Sequence, residues 1–319
     1  MGRGRHAWWL VVAVVGVTGL LAPAAQAEPE HQRPQGPAKV RFGPGFPKLV
    51  DEEWKFPLGG FGGTRPNAPR RHVPVIFVHG NNVDHADWYP VRDAFKAAGW
   101  TDQELWALSY NGLGGINGTA VLTPNPERDA EHLELGWDGQ TRITNNDINV
   151  VDFYRFVMAV RQYTGSARFH IVGHSLGVTL ARRVLQMHPE LRPDLVSFVA
   201  IAGANHGTSF CPPQSQHRVV ACHEIAAGTR WLAQLNGVNN VDETYKPARW
   251  LTIYDGTGLG DPAFAATYAQ SPMLIGADNR QYPLSYHNDL RLDPAIVKDY
   301  RTFIEKSEAL RGFTRAAPA

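Results

Sequence analysis

Ser175, Asp261 and His287 stand in the chain in the order nucleophile, acid, base. Those three side chains could together perform acyl transfer. A serine hydroxyl is a weak nucleophile at its own pKa and needs a base beside it. The imidazole that serves as base needs an acid to hold its tautomer and orientation. Ser175 lies at the centre of Gly173-His174-Ser175-Leu176-Gly177. A β-rich run from Phe169 to Val172, interrupted only by His170, leads into it, and Val178, Leu180, Ala181, Val184 and Leu185 follow at helical spacing. Strand, tight turn and helix in that order lift the hydroxyl above the sheet edge. They also aim the first free N–H groups of the helix at an oxyanion. A Cβ at Gly173 or Gly177 would press on the strand or helix beside it, so the spacing predicts that both glycines are needed.

The base is assigned to His287, because no histidine follows it and a final helix does, opened by Asp293 as N-cap and Pro294 as first residue. For the acid there are two candidates after the strand Arg249–Tyr254. Asp261 is favoured because it lies in the body of the loop, where a side chain can turn towards the histidine. Asp255, at the strand end, is the competing acid. The N–H of Leu176 is one expected oxyanion donor. The Asn81 N–H, after His79-Gly80, is the other, because the loop after that strand supplies it in this architecture. His79 is read as a brace of its loop and His206 as structural. No metal or organic cofactor is required, and activity is expected to fall in acid, where a protonated His287 cannot accept a proton.

Elements of two periods must position these groups. Val73 to Val78 and Val196 to Ala202 are near-continuous β-branched or apolar runs, as expected of strands buried on both faces. Leu105 to Leu108 is a further strand. Trp88, Val91, Ala94, Phe95 and Ala98 mark a helix stopped by Gly99, and Ile148 to Arg161 an amphipathic helix closed by Gly165. Strands and helices in alternation predict an α/β fold, a doubly wound, mostly parallel sheet with helices on both faces.

Val-His-Gly-Asn-Asn at 78–82, Ile-Val-Gly-His-Ser-Leu-Gly at 171–177 and Ala-Asn-His-Gly-Thr at 204–208 resemble secreted bacterial lipases of the α/β-hydrolase superfamily. The likeness is to the class 2 lipases and the similar extracellular polyhydroxyalkanoate depolymerases, and it runs from Val73 to the C-terminus. It implies the α/β-hydrolase fold, with Ser175, Asp261 and His287 as triad and Asn81 and Leu176 as oxyanion donors. It also implies an ester substrate, lipid or polyester. The glycine-rich stretch Gly256 to Gly260 departs from the shorter acid loop common in the superfamily. Beside the lipase-like expectation stand a polyhydroxyalkanoate depolymerase, an acyltransferase or peptidase using the same triad, and a non-catalytic binding protein on a hydrolase scaffold.

Whole-chain properties narrow the class further. The chain has 319 residues, 43% hydrophobic and 19% charged, which suits a globular α/β domain with an ample core. A formal charge of +1 leaves no electrostatic footprint for nucleic acid. Arg3, Arg5 and His6, the apolar run Trp8 to Leu21 and Ala25-Gln-Ala27 read as a cleavable secretory signal, residues 1–27. The mature chain is then expected outside the cell with no stable membrane anchor. Its two cysteines, Cys211 and Cys222, would meet an oxidising environment and pair. A zinc site with His217 and His223 is the rival reading, and its spacing matches no standard pattern. The expected organisation is an irregular arm at 28–70 and a hydrolase domain at 71–319, with candidate lid or cleft segments at 111–145 and 205–246.

Overall fold

Eight strands form one sheet whose central members are buried from end to end. The computed structural model describes residues 41–50, 58–81, 83–110, 146–211, 222, 224–237, 240, 241 and 243–313. The proposed signal, the candidate lid at 111–145, His217 and His223 lie outside them.

In chain order the strands are β1 (Arg41–Phe42), β2 (Gly60–Gly62), β3 (Val75–Val78), β4 (Leu105–Leu108), β5 (Phe169–His174), β6 (Leu195–Ile201), β7 (Arg249–Tyr254) and β8 (Asp278–Gln281). Their order in the sheet is β1-β2-β4-β3-β5-β6-β7-β8. Every pairing is parallel except β2 with β4. The reversal of neighbour order on either side of β3 and β5 is the doubly wound pattern.

Alternation along the strands feeds two cores. Val75, Phe77, Val172, Val199, Ile201, Leu251 and Ile253 face one side. There they meet α1 (Tyr89–Ala97) through Val91 and Phe95, and the C-terminal helix α6 (Pro294–Leu310) through Val297, Tyr300 and Ile304. Ile76, Val78, Ile171, Phe198 and Ala200 face the other. They pack on α2 (Ile148–Thr164), through Phe153 and Val157, and on α3 (Leu176–Met187), through Leu180 and Val184. A sheet buried on both faces cannot spare a polar side, which is why its strands read as continuous apolar runs. Among the described residues there are two further short helices, α4 (Arg230–Asn236) and α5 (Asp289–Leu292).

The helix ends follow local chemistry. Gly165 closes α2 in the left-handed conformation, at φ 64°. The Asp293 carboxylate accepts the Ala295 and Ile296 N–H groups, and Pro294 occupies the first position of α6, where no N–H is needed.

One expectation needs correction. The stretch read as an irregular arm supplies β1 and β2, which extend the sheet beyond β4. The reason is local: Gly60-Phe-Gly62 packs a buried Phe61 edgeways against the core, too short a piece to carry a period. The sheet also gains β8 beyond β7. Its sequence, Asp-Asn-Arg-Gln, is polar because an edge strand is not buried on both faces.

Candidate active site

Ser175 is built on a strained turn between β5 and α3. Its backbone lies at φ 53°, ψ −127°, a region that L-residues avoid. The turn is fixed from both sides: the Ser175 N–H donates to the Ile201 carbonyl at 2.8 Å, and the Val178 N–H donates to the Ser175 carbonyl at 3.0 Å. The two glycines let backbones approach. A Cβ at Gly173 would stand 3.1 Å from the Val178 backbone, and one at Gly177 would strike the His79 carbonyl and come within 2.6 Å of the Val78 carbonyl. Gly177→Ala is therefore expected to force α3 off the end of β3, costing about 1–3 kcal/mol of stability. Catalytic turnover should fall with it. A thermal melt and a rate both unchanged from the parent protein would refute this account of the elbow.

The loop after β3 closes on the serine. A Cβ on Gly80 would lie 3.0 Å from the Ser175 Cβ, so Asn81 follows directly on a residue touching the elbow. His79 holds that loop. Its Nδ1–H donates to the Gly80 carbonyl at 2.8 Å, its ring stacks on Tyr110 at 3.9 Å, and the Tyr110 hydroxyl donates to the His79 carbonyl at 2.5 Å. Burial pushes the His79 pKa down to about 3, which keeps the imidazole neutral and unsuited to proton transfer at neutral pH. Leu176 is the first residue of α3, where an N–H has no acceptor within the helix.

His287 and Asp261 meet across their loops. His287 Nδ1 donates to Asp261 Oδ2 at 2.8 Å, and the Asp261 Oδ1 accepts the Ala263 N–H at 2.9 Å. The acid is 1% exposed and the histidine 9%, so this pair works with little competition from water. His174, next to the serine, donates from Nε2 to the His287 carbonyl at 3.1 Å, and the two rings lie 4.7 Å apart. Burial, together with the nearby His287 and Arg291, holds the His174 pKa well below its usual value, leaving the neutral ring as a fixed donor. Nothing local in the sequence signals this bond, whose partners are 113 residues apart.

The competing acid faces elsewhere. Asp255 accepts the N–H groups of Thr257, Gly258, Gly260 and Leu284, not the imidazole. Burial opposes its charge, but hydrogen bonds from Thr257, Leu284 and Gly260 outweigh that and hold the carboxyl below its ordinary value. His206 binds the Ser271 carbonyl through Nδ1 at 2.9 Å and Glu243 through Nε2 at 2.6 Å, which ties the loop after β6 to the segments before and after β7. Cys211 and Cys222 are joined in a disulfide, so the zinc reading loses both of its thiolates.

Sheet order, elbow and loop placement define an α/β-hydrolase. The family model for class 2 lipases matches residues 72–120 and 137–256, more than half of the chain. The chain belongs to that family, the class 2 lipases. No curated protein sequence matches it. Among solved structures it is similar to lipase B of Aspergillus fumigatus, with 17% identity, 71% of this chain and 51% of that chain covered, and a TM-score of 0.51. It is also similar to the mature Bacillus licheniformis lipase BlEst2, with 11% identity, 77% and 97% covered, and a TM-score of 0.53. The chain thus spans about half the length of the Aspergillus lipase. At these identities the likeness is one of fold.

Proposed function

We propose that this chain is a secreted serine carboxylic-ester hydrolase, lipase-like, with Ser175 as nucleophile, His287 as base and Asp261 as acid. The observation that carries the reading is the 2.8 Å pair of His287 and Asp261, tied through His174 to the strained serine turn. His287 takes the hydroxyl proton as Ser175 Oγ adds to the ester carbonyl, and the N–H groups of Leu176 and Asn81 receive the oxyanion. Collapse expels the alcohol, which takes its proton from His287. Water then attacks the acyl-enzyme with the same histidine as base and frees the acid. Asp261 keeps the imidazole oriented and balances its charge while it is protonated.

An insoluble ester suits the surroundings of the site. Phe210, Leu259 and Leu284 are 66%, 82% and 67% exposed. Leu259 lies in the acid loop and Leu284 in the histidine loop. Phe210 follows Ser209, whose N–H donates to Ala263 at 2.9 Å. Apolar side chains held out to water beside a reaction centre are what a lipid or polyester surface would cover. The same exposure supports the second reading, an extracellular polyhydroxyalkanoate depolymerase. Export is supported by the sequence of residues 1–27 and by the disulfide.

Hydrolysis of nitrophenyl esters of rising acyl length, beside a polyhydroxybutyrate suspension, separates the two. Serine-dependent activity that rises on long acyl chains is the expected result for the lipase. Clearing of the polymer with weak turnover of all the soluble esters would replace it by the depolymerase. Failure of a fluorophosphonate to label the folded protein would leave only the binding-protein reading.

A further inference from the structure

Asp255 is fully engaged with two separate loops, and both lead to the proposed triad. It stands just past the end of β7 and is 2% exposed. Oδ2 accepts the N–H groups of Gly258 at 2.9 Å, Thr257 at 3.1 Å and Gly260 at 3.3 Å. The Thr257 hydroxyl lies 2.6 Å from Oδ2 and 2.8 Å from Oδ1. Oδ1 also accepts the Leu284 N–H at 2.5 Å. Gly260 immediately precedes Asp261, and Leu284 stands three residues before His287. The chain wraps the carboxylate through left-handed turns at Gly256 and Gly258, with φ of 73° and 72°.

Leu284 gives independent support. It is a non-glycine residue at φ 62°, a left-handed conformation that L side chains disfavour. Its side chain is largely exposed and gains little packing in return. The bond to Asp255 holds it there, and a Cβ on Gly260 would lie 2.6 Å from the Leu284 Cα, so the two loops touch backbone to backbone. A carboxylate suits the place because it only accepts, and every group pointing at it donates.

We propose that Asp255 is a positioning residue: its carboxylate straps the acid loop to the histidine loop and so sets Asp261 Oδ2 against His287 Nδ1. This rests on the Ser175–His287–Asp261 reading. An amide in its place presents an NH2 group to converging donors and lets the loops part, and a displacement of about 1 Å at reacting groups costs on the order of 10²-fold in rate.

The test compares Asp255→Asn and Asp261→Asn on a soluble nitrophenyl butyrate, with kcat counted per fluorophosphonate-titrated site. Asp255→Asn is expected to lower kcat per site by ~10–100-fold with KM within about twofold. A purely structural role would lower the number of titratable sites and leave kcat per site intact, and that result overturns the proposal. The triad reading fails separately: Asp261→Asn would then turn over like the parent while Asp255→Asn is as dead as Ser175→Ala. Should Asp255→Asn not fold, Thr257→Val decides, since it removes one donor and keeps the carboxylate. A several-fold fall in kcat per site at constant KM supports the strap, and an unchanged kcat refutes it.

Discussion

Ser175→Ala is expected to lower kcat on a short nitrophenyl ester by about 10⁵–10⁶-fold, leaving KM nearly unchanged. The size follows from the chemistry. On the proposed mechanism no acyl-enzyme forms without Oγ, and His287 and the N–H groups of Leu176 and Asn81 would be left only to assist direct attack by water. Oxyanion stabilisation and binding alone leave a residual of ~10³–10⁴ over the uncatalysed reaction. The side chain itself is small and sits on a turn whose strain is backbone strain, at φ 53°. Alanine meets the same backbone energy there, so the melting temperature should shift little. The expected pattern is thus a folded protein of parental stability that neither turns over ester nor labels with a fluorophosphonate. Substantial turnover by the alanine variant would place the nucleophile elsewhere and end the triad reading.

The central part of this fold is legible because its physics is local. β3, β5, β6 and β7 are buried on both faces, so apolar runs mark them, and α1, α2 and α6 announce their ends with Gly99, Gly165 and Asp293-Pro294. The elbow is legible for the same reason: two glycines four residues apart with a serine midway, between a strand pattern and a helix pattern, point to a tight strand-to-helix turn. Edges are different. β1 and β2 have two and three residues, and β8 is polar, so neither alternation nor burial writes itself into them. The acid shows where sequence reasoning reaches its limit. Asp255 and Asp261 share a residue type and a loop, and only the direction of the side chains separates a carboxylate bound by backbone N–H groups from one bound by an imidazole. Bonds between distant parts of the chain leave no local mark at all. His174 to His287 is one, and the cluster around Glu308 is another.

Glu308, on the last turns of α6, is expected to contribute strongly to the acid sensitivity of the fold. Its Oε2 accepts the His72 Nδ1–H at 2.9 Å and its Oε1 accepts the Val73 N–H at 2.7 Å, while His170 Nε2 lies 3.4 Å from Oε1. His72 stacks on Trp100 at 3.8 Å, and His170 Nδ1 pairs with the Ser197 hydroxyl at 2.7 Å. One carboxylate thereby joins the C-terminal helix, the entry to β3 and the central strand β5. Removing one member of such a buried set strands the others, and Glu308→Ala should cost about 3–5 kcal/mol at neutral pH. The pH dependence follows from two shifts of one sign. Burial works to raise the Glu308 pKa, but hydrogen bonds from His170 and His72 outweigh it and bring it from its ordinary 4.5 down to about 2. Burial lowers His170 from its ordinary 6.5, only partly countered by Glu308. In both cases the unfolded chain takes up a proton before the folded one, so stability is complete above pH ~6.5 and falls as the pH drops towards ~2. Urea melts of the parent protein and of Glu308→Gln at pH 7, 5 and 3 check this. The glutamine variant should be less stable at pH 7 and lose less on going from pH 5 to pH 3. Equal losses in that interval would show that the acid sensitivity has another source.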